Sequence, residues 1–321
     1  MAVYTKIKKD ELEDFLKNYD IGNLIEYEEI AEGVENSNFK IITSQDTIIL
    51  TIFEKRVSSN DLPFFIELMN YLDTKEYKCP KPIADIKGNY ISYLKQKPCT
   101  IVSFIRGKWV KNIKNIHCQQ LGKNLAKLHA LTKDFKLKRE NSMGYHTWDS
   151  LFKNFRSEKN IQYKEIYKII SDELTFLSNN WPKNLPSGII HADLFQDNVF
   201  FEDNSFTGII DFYFACYDFY AYELAVTLNA WCFEKDQSFN TTKARLILAE
   251  YQKEKALSIE EKESFPILSR GAALRFLLTR LNDLIFHSPK HFVQPKDPHE
   301  YLEKLYFHQA IGSINEYGFA D

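Results

Sequence analysis

The sequence predicts an α+β chain of two lobes: an antiparallel sheet lobe over residues 1–105, then a larger, mainly helical lobe over 106–321. Three observations carry this expectation. The first hundred residues hold short apolar runs separated by polar turns, the signature of strands joined as a meander. Near Phe104 to Gly107 the pattern changes to longer runs with apolar residues three and four apart, the helical period. At 321 residues the chain is long enough for two domains.

Taken in order, Asp10 to Tyr19 reads as a short amphipathic helix with Leu12, Phe15 and Leu16 on one face. Leu24 to Ala31, Phe39 to Thr43 and Thr47 to Phe53 read as three strands. The turn between the first two holds Gly33, Asn36, Ser37 and Asn38. Backbone N–H groups and small polar side chains suit anions, so this turn is a candidate cover for nucleotide phosphates. A plain hairpin turn would look the same, since the stretch is not G-x-G-x-x-G. Leu62 to Leu72 reads as a helix with Pro63 in its first turn, where proline is tolerated, and its one acid is Glu67. Cys79 to Pro82 is extended, because each proline biases its predecessor away from helix. Tyr90 to Tyr93 and Thr100 to Ile105 read as two further strands.

In the second lobe, Ile116 to Leu131 places Leu121, Leu125 and Leu128 near one stripe and predicts a long buried helix ending beside His129. Trp148 to Trp181 carries two more helical patterns, closed by Pro182 and Pro186. The stretch His191 to Asp211 follows. It has the spacing H-x-D-x-x-x-x-N in His191, Asp193 and Asn198, a catalytic-loop signature of phosphotransferases. Two short apolar runs then flank the turn Glu202 to Ser205, the pattern of a hairpin. A hairpin would return Asp211 to the neighbourhood of Asn198. An amide oxygen and a carboxylate would then be available to a hard cation such as Mg²⁺. Phe212 to Phe233 is apolar except for Asp218 and Glu223, and a buried acid must be paired or hydrogen-bonded. Leu268 to Phe286 is apolar nearly all round yet carries Arg270, Arg275 and Arg280. At five-residue spacing these point three ways and cannot all face solvent. Buried ion pairs with Asp218, Glu223 or Asp283 are one use for them, and gripping a substrate carboxylate is another.

Composition excludes several classes. Hydrophobic residues are 44% and charged residues 26%, the balance of a soluble globular protein. A net charge of −3 gives no electrostatic case for nucleic acid or an anionic membrane. Five cysteines at irregular spacing give no disulfide framework, so reduced, mostly buried thiols are expected. No apolar run reaches membrane-spanning length, and the first residues carry no signal-like segment; the expected compartment is the cytoplasm. Oligomeric state is not legible.

These residues resemble the aminoglycoside-phosphotransferase and choline-kinase group of small-molecule kinases, which share H-x-D-x-x-x-x-N followed by a strand ending I-D-F, here Ile210-Asp211-Phe212. Within it the chain is similar to the homoserine-kinase family of proteobacteria. The similarity is carried by GVENSNF at Gly33 to Phe39, LPFFIELMNYL at Leu62 to Leu72, IDFYFACYD ending at Asp218, ELAVTLNAWC at Glu223 to Cys232, and ALRFLLTRLND at Ala273 to Asp283. The resemblance spans nearly the whole chain. It implies a bilobal protein-kinase-like fold, ATP and Mg²⁺ as cofactors, and phosphorylation of the side-chain hydroxyl of L-homoserine in threonine biosynthesis. Asp193 would accept the hydroxyl proton, His191 would brace the loop, and Asn198 and Asp211 would hold the metal. The connector at Ser103 and Phe104 would be the hinge that meets adenine. Asp218 or Glu223 would meet the substrate ammonium and Arg275 its carboxylate. One departure stands out: Thr51 occupies the place of the phosphate-gripping Lys. Either Lys55 substitutes and pairs with Glu67, or the phosphates are held differently and Glu67 is an ordinary surface acid. Kinases for choline, methylthioribose or aminoglycosides, and a non-catalytic nucleotide-binding pseudokinase, are the alternative readings. The presence of Asp193, Asn198 and Asp211 weighs against the last, and the arginine-bearing helix against a choline kinase.

Overall fold

The computed structural model describes residues 5–30, 36–54, 58–156, 161–287 and 294–319. They divide into two compact units. One holds the residues up to 107 together with 207–213, and the other holds 108–206 and most of the chain after 213.

The first unit is built on one sheet. Helix α1 (Lys9–Leu16) precedes β1 (Leu24–Ile30), β2 (Ser37–Thr43) and β3 (Thr47–Ile52), and α2 (Leu62–Thr74) precedes β4 (Pro82–Ile83), β5 (Ser92–Leu94) and β6 (Lys97–Ser103). The strands pair antiparallel in the order β1-β2-β3-β6-β4, with β5 also on β6. Alternation decides which face is buried: Phe39 and Ile41 of β2 and Ile48, Leu50 and Ile52 of β3 point into one core. There they meet Leu12, Phe15 and Leu16, the apolar face expected of α1. The strand expected at Tyr90 to Tyr93 is displaced to Ser92–Leu94, and its partner starts at Lys97 rather than Thr100. The cause is a two-residue turn, Lys95-Gln96, in which both residues take left-handed φ of 52° and 63°. Such turns normally advertise themselves with Asn or Gly. Residues 207–213 belong to this unit through an Ile209 N–H bond to the Lys78 carbonyl and through Tyr213, whose ring meets Phe53 and Phe65 edge-on.

The second unit is mainly helical, with α3 (Asn115–Leu131), α4 (Tyr145–Phe155) and α5 (Lys164–Asn180) leading to β7 (Ser187–Ile190). Strands β8 (Val199–Glu202) and β9 (Ser205–Ile209) form the expected hairpin, with Asp203 and Asn204 both left-handed in its turn. Then come β10 (Cys216–Phe219), α6 (Tyr220–Trp231), α7 (Thr241–Glu254), α8 (Ile259–Ile285) and α9 (His299–Ala310). Helix α6 is buried on every side, which explains its lack of amphipathic patterning, and packs on α8. Strand β10 pairs antiparallel with β7, setting Cys216 opposite Ile190 and Asp218 opposite Gly188. Gly188 is required there: a Cβ would lie 1.9 Å from the Tyr220 hydroxyl. His129 is the structural histidine its place suggests; its Nδ1 lies 2.7 Å from the Tyr251 hydroxyl, and burial pushes its pKa down to about 3. All five cysteines are free and buried. Among the described residues no helix is long and apolar enough to cross a membrane.

Candidate active site

The loop after β7 carries the H-x-D-x-x-x-x-N residues, and its backbone is strained. Ala192, between His191 and Asp193, has φ 64°, a left-handed conformation that costs a non-glycine residue roughly 1–2 kcal/mol. Buried side chains hold it there. The Glu223 carboxylate, on α6, accepts from the backbone N–H of His191 and, at 3.0 Å, from that of Ala192. From α8, the Arg275 guanidinium donates through Nη1 to the Ala192 carbonyl. Glu223 is fully buried and Arg275 is 3% exposed, so the two poles of Ala192 are fixed by two desolvated charges. Further along, Trp231 Nε1 donates to the Leu194 carbonyl at 3.0 Å and Gln196 Nε2 to the Ala230 carbonyl at 3.1 Å. The loop is therefore tied to α6 at both ends.

His191 is buried, and its Nδ1 accepts from the Asp193 backbone N–H at 3.3 Å. It braces the turn. Asp193 is half-buried. Asn198 Nδ2 donates to the Asp193 carbonyl at 2.8 Å and reaches its carboxylate Oδ2 at 3.4 Å. This engages the amide nitrogen and leaves Asn198 Oδ1 as the group able to meet a cation. Asp211 lies two residues beyond the second strand of the hairpin, exposed and with φ 62°. An amide oxygen and a carboxylate are the hard oxygen donors that Mg²⁺ takes.

The partners of Glu223 and Arg275 were not legible in the sequence. Burial outweighs the hydrogen bonds from Ala192 and His191 and the charge of Arg275, and raises the Glu223 pKa to about 7. The other two arginines of α8 go elsewhere: Arg270 forms a two-pronged bond to Glu173 at 2.7 and 2.6 Å, and Arg280 binds Glu300 at 2.5 Å. Asp218 differs from Glu223. It accepts from Asn141 Nδ2 and from the Phe219 N–H, each at 2.7 Å, and it lines a cavity. Burial raises its pKa, against the pull of those bonds and of Arg275. Asn141 was not singled out from sequence; an asparagine in a polar loop carries no signal of this kind.

Among the candidate nucleotide residues of the first unit, Gly33 and Lys55 lie outside the described residues. Asn36 is buried, and its Oδ1 has no hydrogen-bond partner among the described residues. Ser37 Oγ accepts from the Thr5 N–H at 3.0 Å and donates to Glu54 at 2.7 Å. Hydrogen bonds from Lys97, Ser37 and Thr5 hold the Glu54 carboxyl below its usual range in spite of burial. Thr51, at the position expected for a lysine, donates to Asn38 Oδ1 at 2.8 Å. Glu67 is exposed and has no ion pair among the described residues. Ser103 Oγ accepts from the Lys81 N–H at 2.9 Å, and Lys40 Nζ stands 5.5 Å over the Phe104 ring. Strand register sets Ser37 opposite Ile52 and Ser103 opposite Ile48. Ser37, which the structure puts in β2 rather than in the turn, and Ser103 thus sit opposite the two ends of β3, about 13 Å apart at the usual strand rise.

The chain belongs to the phosphotransferase enzyme family (APH), whose model matches residues 26–257. Its full-length relatives narrow the class. The homoserine kinase of Nitrobacter hamburgensis is 48% identical over 320 residues, covering 100% of this chain and 98% of that protein. That of Parvibaculum lavamentivorans is 49% identical over 318 residues, covering 99% of each. The fold is that of protein-kinase-like phosphotransferases. The amicoumacin kinase hAmiN superposes with a TM-score of 0.73 at 14% identity, over 97% of this chain and 94% of that one. Choline kinase from Cryptosporidium parvum superposes at 0.68 with 17% identity, over 94% of both chains.

Proposed function

We infer that this chain is an ATP-dependent homoserine kinase, transferring the γ-phosphate of ATP to the side-chain hydroxyl of L-homoserine to give O-phospho-L-homoserine for threonine biosynthesis. The observation that carries the chemistry is a half-buried Asp193 on a loop whose backbone is fixed by two buried charges. The full-length identity to homoserine kinases carries the acceptor.

Phosphoryl transfer asks the protein mainly for positioning and charge. Asp193 orients the acceptor hydroxyl and accepts its proton as the oxygen attacks phosphorus. Asn198 holds Asp193 through its amide nitrogen. Glu223 and Arg275 are positioning residues that keep the Ala192 peptide, and so Asp193, in place. Asn198 Oδ1 and Asp211 are the groups that would hold Mg²⁺, which would neutralise charge on the phosphates. Gly33, Asn36, Ser37 and Asn38 are the candidate phosphate contacts, and Ser103 and Phe104 the candidate adenine contacts. Lys55 and Glu67 are the candidate pair for the role that Thr51 cannot fill. Five buried, free thiols suit the reducing cytoplasm.

A panel of alcohol acceptors, assayed by ADP release with ATP and Mg²⁺, tests the reading. L-Homoserine is expected to give the highest kcat/KM. Preference for choline, methylthioribose or an aminoglycoside would overturn it.

A further inference from the structure

Within the second unit a cavity of about 520 Å³ opens beside β10. Its walls include Tyr145, Trp181 and Tyr217, and its polar lining includes Asn141 and Asp218. The Tyr145 and Trp181 rings stack at 5.1 Å, only 9° from parallel. An ionised carboxylate offers about four acceptor positions. Asp218 uses two, for Asn141 and for the Phe219 N–H, and has no ion pair among the described residues. Asn141 is itself fixed: it is 5% exposed, its Oδ1 accepts from the Met143 N–H at 3.0 Å, and the neighbouring Met143 carbonyl accepts from Trp148 Nε1 at 2.8 Å. A half-buried acid with spare acceptor positions, held in one orientation beside aromatic faces, is the chemistry that binds an organic cation. Asp218 lies opposite Gly188 on β7, the strand that leads directly into the loop carrying Asp193.

We propose that this cavity receives the α-ammonium of the acceptor, with Asp218 as its anionic partner, the aromatic walls beside it, and Asn141 as the positioning residue that orients Asp218. This rests on the homoserine kinase reading and deepens it: the cavity is what distinguishes an amino-acid alcohol from a plain one.

The test compares L-homoserine with 4-hydroxybutanoate, the same chain without the ammonium, in the wild type and in Asp218→Asn, Asn141→Ala and Tyr145→Leu, with melting temperatures measured on each. Asp218→Asn is expected to lower kcat/KM for homoserine by about 10- to 150-fold, the loss of a charge-assisted hydrogen bond. The value for 4-hydroxybutanoate and the KM for ATP should hold, so the preference between acceptors collapses. Asn141→Ala should raise the KM for homoserine with kcat little changed, and Tyr145→Leu should lower the preference without touching the carboxylate. An acceptor preference that survives in the folded variants overturns the proposal, as does an equal loss for both acceptors. A wild type that does not phosphorylate homoserine at all strikes the underlying reading instead, and this proposal with it.

Discussion

Replacing Arg275 by leucine separates two uses of a buried guanidinium. The side chain is 3% exposed and donates to the carbonyl of Ala192, a residue in left-handed conformation. Leucine leaves that carbonyl without its donor, and losing a charge-assisted bond costs about 1.5–3 kcal/mol. It also strips Glu223 of a compensating positive charge, and orphaning a buried charge pushes the total toward about 3–5 kcal/mol. At roughly 2–4 °C per kcal/mol for a domain of this size, Tm should fall by about 6–20 °C. The strained peptide then relaxes and Asp193 moves with it, and a misplacement of about 1 Å can cost on the order of 100-fold in kcat. Differential scanning fluorimetry and steady-state kinetics on one preparation check both. The KM values for homoserine and ATP should change little. A variant with unchanged Tm and kcat but a homoserine KM raised ten-fold or more would refute the clamp and give Arg275 to the substrate carboxylate.

Asp193→Asn should lower kcat by about 10²–10⁴-fold while nucleotide affinity, measured by calorimetry, stays within a few-fold, because the proton acceptor is lost and the metal ligands are not. Asp211→Ala should weaken ATP binding in the presence of Mg²⁺ and leave binding without Mg²⁺ unaltered; an undiminished Mg²⁺ effect would place the ion elsewhere. Glu223 gives a pH signature. Its folded pKa, about 7, lies above the 4.5 of an ordinary glutamate. The folded state therefore holds the proton to higher pH, and the associated stability is full below about pH 4.5 and lost as pH rises through about 7, a change of roughly 3 kcal/mol. Glu223→Gln cannot titrate, so its Tm should fall less than that of the wild type between pH 5 and pH 8. Parallel Tm curves would mean that Glu223 is not the titrating group.

What sequence revealed and what it hid follow the range of the interactions. The β8–β9 hairpin and the loop spacing were legible because polar turns and apolar strands lie within twenty residues of one another. The β5–β6 turn was displaced because Lys95 and Gln96 take left-handed conformations without the residues that usually signal them. The acid in α6 was expected to need a partner, and the need was real. The partner is the backbone of Ala192, 31 residues away, and Arg275 reaches the same residue across 83. No periodicity encodes such a pair. The Asn141–Asp218 bond spans 77 residues and was likewise hidden. Thr51 stands in the sequence as a gap in a pattern, but its bond to Asn38 depends on strand register, which the hydrophobic pattern does not number residue by residue.

The central claim is tested most directly by locating the transferred phosphate. Purified protein is incubated with ATP, Mg²⁺ and L-homoserine, and the product is read by proton–phosphorus correlation NMR. The account predicts a phosphate ester coupled to the γ-methylene protons of homoserine, and none above background with Asp193→Asn. Phosphate released only to water, or carried on any other group, would contradict it.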